Sequence, residues 1–163
     1  MSMTEHQSLT QVDQSARPSN FVNHERLNAR LSEMAKIGAT PGGGVNRAAL
    51  TPEDAKAQLQ LARWATDLGL FVTRDAIGNL FLRLEGTQPE LLPVLSGSHI
   101  DSQPTGGKFD GIYGVIAALE AVQAIVESGC AVSRSVEVVA WVNEEGSRFA
   151  PSMMGSGVYA GLR

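Results

Sequence analysis

Apolar positions recur at two distinct periods along this chain. From Asn23 to Ile37, Leu27, Leu31, Met34 and Ile37 fall at spacings of four and three, which predicts an amphipathic helix. Gly38 stands where a C-terminal cap belongs. Thr40-Pro41-Gly42-Gly43-Gly44 predicts a loop. Thr51-Pro52-Glu53-Asp54 joins a hydroxyl cap, a proline at the first helical position and acid in the first turn. Leu59, Leu61, Ala62, Ala65 and Leu68 carry that helix to Gly69. Leu70 to Arg74 and Asn79 to Leu84 are short β-type runs around Ala76-Ile77-Gly78, a hairpin pattern.

The pattern then changes. Leu91 to Ser96 is an apolar run of the kind found in buried strands. Gly111 to Ser128 is apolar on more than one face, predicting a buried helix closed by Gly129. Ser135 to Val142 is β-branched and predicts a second core strand. Residues 91 to 142 thus read as one βαβ unit with parallel strands and a right-handed crossover. Met153 to Arg163 is rich in Gly, Ser and Met and predicts no finishing element. A sheet that stops after its second buried parallel strand leaves an apolar edge uncovered. The expectation is therefore an α/β fold, a mixed and largely parallel sheet flanked by helices. Residues 1–20 form a flexible tail, and residues 21–163 a partial domain, truncated or completed by another chain.

Composition narrows the class. At 163 residues, 43% hydrophobic and 18% charged, the chain suits one globular domain. A net charge of −4 argues against nucleic-acid or anionic-membrane partners. No apolar run approaches the ~18 residues that a membrane span requires. The single cysteine, Cys130, makes no internal disulfide, which suits a reducing, cytoplasmic setting. It has no histidine or basic neighbour to activate it.

Chemistry concentrates in three segments: Gly97-Ser98-His99-Ile100-Asp101, Gly106-Gly107-Lys108-Phe109-Asp110-Gly111 and Asn143-Glu144-Glu145-Gly146. His99 and Asp101 follow the first core strand, the two glutamates follow the second, and Asp110 opens the crossover helix. Parallel α/β sheets bind ligands at the carboxyl ends of their strands. One imidazole and four carboxylates on one rim suit a pair of divalent metal ions with an activated water.

Each residue also has a plainer explanation. His99 is a candidate metal ligand, or it caps a strand end. Asp101, two positions on, is placed to orient that imidazole. Asp110 is a carboxylate able to bridge two ions, or a plain N-cap. Glu144 and Glu145 form a surface turn, or they divide labour beside a cation, one binding metal and the other serving as general base and then general acid. His6 and His24 read as surface residues, and Trp64 and Trp141 as core aromatics.

These segments resemble a known family. Gly97 to Gly111 resembles the first metal motif of the M20-type metallohydrolases, in particular the branch with N-carbamoyl-L-amino-acid hydrolases, β-ureidopropionases and allantoate amidohydrolases. Asn143-Glu144-Glu145-Gly146-Ser147-Arg148-Phe149 resembles the second motif of that branch. Ile37 to Pro41 and Gly43 to Arg47 fit its N-terminal region.

The resemblance implies a zinc-peptidase-like catalytic domain, cut before its lid domain. It implies that His99 binds one metal, Asp110 bridges both and Glu145 binds the second. Glu144 would be the general base and Asp101 would orient His99. The ions would be Zn2+, with Mn2+, Co2+ or Ni2+ in some members. The peptide after the bridging aspartate is often cis in this family, which Gly111 would make less costly. The family chain is longer and carries further histidine ligands, a lid that grips the substrate and usually a homodimer interface. The expected activity is hydrolysis of a linear carbamoyl or ureido C–N bond in a small molecule, with this chain alone inactive. The alternatives are an M20-type aminopeptidase or dipeptidase, and a non-catalytic remnant.

Overall fold

The computed structural model describes residues 17–163. Of the tail expected at residues 1–20, residues 1–16, with His6, lie outside them. Pro18–Phe21 forms a 3-10 turn, so residues 18–20, expected in the tail, hold regular structure. Helix α1 spans His24–Met34, shorter than its apolar pattern, and begins where the Asn23 side chain accepts the amides of Glu25 and Arg26. Beyond Met34 the chain tightens into turns, and the positive φ of +78° falls at Gly38. Helix α2 spans Pro52–Asp67, and the Thr51 hydroxyl accepts the Asp54 amide. The expected cap, proline and acidic first turn all fall at that helix start.

Strands β1 (Phe71–Arg74) and β2 (Leu80–Leu84) make the expected antiparallel hairpin, pairing Arg74 with Leu80. Its loop is set by Asp75, whose Oδ1 accepts the amides of Gly78 and Asn79. Strand β3 is Val94–His99, helix α3 is Ile112–Ser128 and strand β4 is Val136–Trp141. Strands β3 and β4 run parallel, with His99 beside Trp141. Gly129 ends α3 in the left-handed conformation, as its position predicts.

The strand order is β1-β2-β4-β3. That order corrects one expectation. Strand β3 is not a buried strand; it is the sheet's edge, and Val94 is 52% exposed. Strand β4 takes the interior place, because its other side pairs antiparallel with β2. Period-two alternation sorts the side chains. Leu80, Leu82, Val138 and Ala140 join Val115, Ile116, Leu119 and Val122 of α3 in one core with Leu31, Met34, Leu61 and Ala65 of α1 and α2. Each fully buried aliphatic side chain here contributes about 1.5–3 kcal/mol.

The opposite alternation places Phe81 and Trp141 on the other face. Trp141 is thus half-buried outside the main core, with ring centroids 6.1 Å from Phe81 and 5.0 Å from Tyr159. Tyr159 belongs to α4 (Met154–Tyr159), a short helix where the sequence predicted none. Trp64 packs against the main core, and His24 is exposed at the start of α1.

Candidate metal centre

The parallel register brings the ends of β3 and β4 side by side. The chain leaves β4 through Val142 into a turn in which Asn143 has a φ of +49°. Asparagine tolerates that left-handed region better than most residues. Its amide Nδ2 donates to the carbonyls of Phe149 at 2.7 Å and Pro151 at 3.3 Å. The Val142 amide donates to Asn79 Oδ1 at 3.0 Å, and Asn79 Nδ2 donates to Gly155 O at 3.1 Å. The turn that presents Glu144 and Glu145 is therefore held from the β1–β2 hairpin and from α4. Asn79 and Asn143 are both almost fully buried; Asn143 heads the segment the sequence marks, whereas nothing in the sequence marks Asn79.

Asp101 joins the two strand ends. Its Oδ1 accepts the Glu144 amide at 3.1 Å and its Oδ2 the Glu145 amide at 3.2 Å. Its main-chain carbonyl faces His99 Nδ1 at 2.9 Å, closer than its carboxylate at 3.6 Å. A carbonyl only accepts, so Nδ1 carries the proton and Nε2 presents its lone pair outward. The orienting group nearest the ring is thus the main chain of Asp101, while the side chain holds the glutamate turn.

Nε2 of His99 lies 3.5 Å from Glu144 Oε2 and 3.9 Å from Asp110 Oδ1. Burial alone would lower the imidazole pKa, but the hydrogen bonds and charge of Asp101 and the charge of Glu144 outweigh it, so it sits above the ordinary 6.5. Asp110 is mostly exposed. It does not cap α3: the N-cap is Gly111, and no side chain caps that helix start. Nor is the Asp110–Gly111 peptide cis; the cis peptide among the described residues is Ala150–Pro151. Gly111, with φ +64° and ψ −56°, instead makes a γ-turn in which the Ile112 amide reaches Asp110 O at 2.6 Å.

One ligand atom each from His99, Asp110 and Glu145 fall within 4.8 Å of one another. Glu145 Oε2 accepts from Gln103 Nε2 at 2.7 Å, while its Oε1 is buried with no partner. A buried, unpaired carboxylate oxygen is costly, and a cation beside it removes that cost. A neutral imidazole nitrogen and two carboxylates suit zinc, manganese, cobalt or nickel. The donor set therefore fits a divalent ion. Gln103 was not singled out in the sequence, since an exposed glutamine carries no signal of its own.

Residues 95–162 match the model of peptidase family M20/M25/M40. An N-carbamoyl-L-amino-acid amidohydrolase from Rhizobium meliloti is 48% identical over 141 residues, covering 86% of this chain and 34% of that protein. An allantoate amidohydrolase from Bacillus subtilis is 41% identical over 129 residues, covering 79% of this chain and 31% of that protein. The crystal structure of an amidase of the hydantoinase/carbamoylase family from Burkholderia multivorans superposes with a TM-score of 0.87 at 52% identity, covering 90% of this chain and 36% of that one. The chain spans about a third of the length of the curated relatives it matches. In sequence and in fold, this chain is similar to one part of the amidohydrolases and amidases of the hydantoinase/carbamoylase type, and residues 95–162 carry the match to the M20/M25/M40 family model.

Proposed function

We propose that the protein carrying this chain is a metal-dependent amidohydrolase that cleaves a linear carbamoyl or ureido C–N bond, in a substrate of the N-carbamoyl amino acid, ureidopropionate or allantoate type. The observation that carries this reading is the convergence of His99, Asp110 and Glu145 at adjacent strand ends, with the Glu144 carboxylate beside them.

In this reading His99, Asp110 and Glu145 hold the metal, two ions when the site is full, with zinc the first choice. Bound there, a divalent ion acidifies a water and polarises the scissile carbonyl. Glu144 does not belong to the three-residue ligand group and is free for proton transfer. Its carboxylate takes the proton from the attacking water and returns it to the departing nitrogen. Asp101 fixes both the imidazole and the amides of the glutamate turn, so Glu144 stays within reach of the reacting atoms. Addition of water across an N-carbamoyl bond yields the amino acid and carbamate, which breaks down to ammonia and carbon dioxide.

Three protein ligands leave each of two ions short of a full shell. The reading therefore assigns the remaining ligands, the substrate grip and a homodimer interface to parts of the protein outside this chain, and gives this chain alone no activity. No helix among the described residues is long and apolar enough to cross a membrane, and the free, exposed Cys130 suits a cytoplasmic setting.

The test is a substrate panel on the full-length protein, purified without metal and reloaded with Zn2+. Zinc-dependent ammonia release from an N-carbamoyl-L-amino acid or allantoate is the expected result. Cleavage of dipeptides with no action on carbamoyl compounds would replace this reading with the aminopeptidase one.

A further inference from the structure

Arg47 is the largest fully buried side chain of the described residues, 1% exposed. Its Nε donates to Ile100 O at 2.8 Å, and its Nη1 to Met34 O at 3.1 Å and Ile37 O at 3.0 Å. Its main chain is engaged as well: its amide donates to Ser102 Oγ at 2.9 Å, and its carbonyl accepts the Ser102 amide at 3.0 Å. Residue 47 thus grips the chain on both sides of Asp101, at Ile100 and at Ser102.

Burying a guanidinium among carbonyls is expensive. For α1 alone the arrangement is wasteful, since a helix C-terminus is satisfied equally well by water or by an exposed lysine. What the fork adds is a rigid link between three carbonyls on two separate segments, which a lysine point charge does not reproduce. Asp54 and Asp101 supply the opposing charge. The segment so fixed is the one whose Asp101 holds the His99 ring and the amides of Glu144 and Glu145.

We propose that Arg47 is a positioning residue for the metal centre: it locks Ile100–Ser102, and through Asp101 sets the His99 imidazole and the Glu144–Glu145 turn before any metal arrives. Arg47 touches neither the ligand group nor the Glu144 carboxylate, so its effect is indirect. The metal half of the proposal rests on the metallohydrolase reading above; the pre-organisation half does not.

The experiment uses the full-length protein with Arg47→Lys and Arg47→Met. Leu61→Val serves as a control that loosens the core from α2 without touching this link. Amide hydrogen exchange is measured in the metal-free proteins, and Zn2+ affinity by titration against a competing chelator. In both Arg47 variants the Glu144 and Glu145 amides exchange at least about tenfold faster than in the parent, while Leu119 in α3 shifts no more than it does in the control. Zinc affinity falls about 10–100-fold, the range for groups that orient metal ligands. If Arg47→Met does not fold, Arg47→Lys carries the test, with the smaller loss. Uniform acceleration across the protein, with Glu144 and Glu145 no different from Leu119, overturns the proposal. A parent protein that binds no zinc removes the metallohydrolase reading and leaves the exchange result to decide the role of Arg47.

Discussion

Gly111 lies flat against the imidazole of His99. A Cβ added at position 111 would stand 2.4 Å from His99 Cε1 and 2.5 Å from both ring nitrogens. Backbone at φ +64° is a further reason for glycine there, because an L side chain in that region costs roughly 1–2 kcal/mol. The two effects point the same way. Gly111→Ala is expected to lower stability by at least ~1 kcal/mol and to displace the ring, weakening Zn2+ binding about tenfold or more. Denaturant unfolding and metal titration on the same samples check both; unaltered zinc affinity would show that the ring has room the geometry denies it.

Glu144→Gln keeps the shape of the turn and removes the basic oxygen. Metal content should stay at the parent level, while turnover of a carbamoyl substrate by the full-length protein falls about 10²–10⁴-fold. Retained turnover would assign the proton transfer to another group.

Asp101→Asn tests the clamp on the glutamate turn. An ionised carboxylate accepts from both amides at 3.1 and 3.2 Å. An amide offers one accepting oxygen and turns an NH2 toward the other N–H. The loss of a satisfied buried pair is expected to cost about 1–3 kcal/mol, read by urea unfolding of the metal-free protein. A neutral result would mean that water or a rotated turn satisfies the orphaned amide.

The sequence carried much of this and left specific parts hidden. The α2 start was legible because cap, proline and acid are local features. The hairpin was legible because alternation and a turn are local as well. The exposure of β3 was not: an apolar run from Leu91 to Ser96 reads the same at the edge of a sheet as at its centre. What decides the matter is the antiparallel pairing of β4 with β2, a contact between segments far apart in sequence. Helix α4 was hidden for a different reason. Gly155 and Gly157 are poor helix formers, yet a Cβ at 155 would lie 2.0 Å from Asn79 Oδ1, so tertiary packing selects the glycine and the helix follows. Within the site, residue type alone left Asp110 open between cap and ligand; the γ-turn at Gly111 makes Gly111 the cap position. Arg47 escaped notice because nothing local marks an arginine as buried.

Asp54 gives the chain a pH signature. Burial drives its carboxyl above the ordinary 3.8, against the hydrogen bonds from Gln58 and Leu50. The folded state therefore holds this proton more tightly than the unfolded one. The contribution is complete below the unfolded value and is lost as pH rises from about 4 through the folded pKa. Asp54→Asn removes that titration. The stability of the parent minus that of the variant should fall with rising pH across this window and then level off, as measured by urea unfolding at a series of pH values. A flat difference would show that the hydrogen bonds to Asp54 cancel the effect of its burial, and a rising one that they outweigh it.

The parallel pairing of β3 with β4 also sets an order of events in folding. His99 ends β3 and the two glutamates follow β4, strands whose connection runs through the whole of α3, so their meeting closes a long loop. Local pieces such as α2 and the β1–β2 hairpin need no such closure and can form early. The metal centre is then among the last parts of the molecule to take shape, and a bound ion rewards only chains that have finished the crossover.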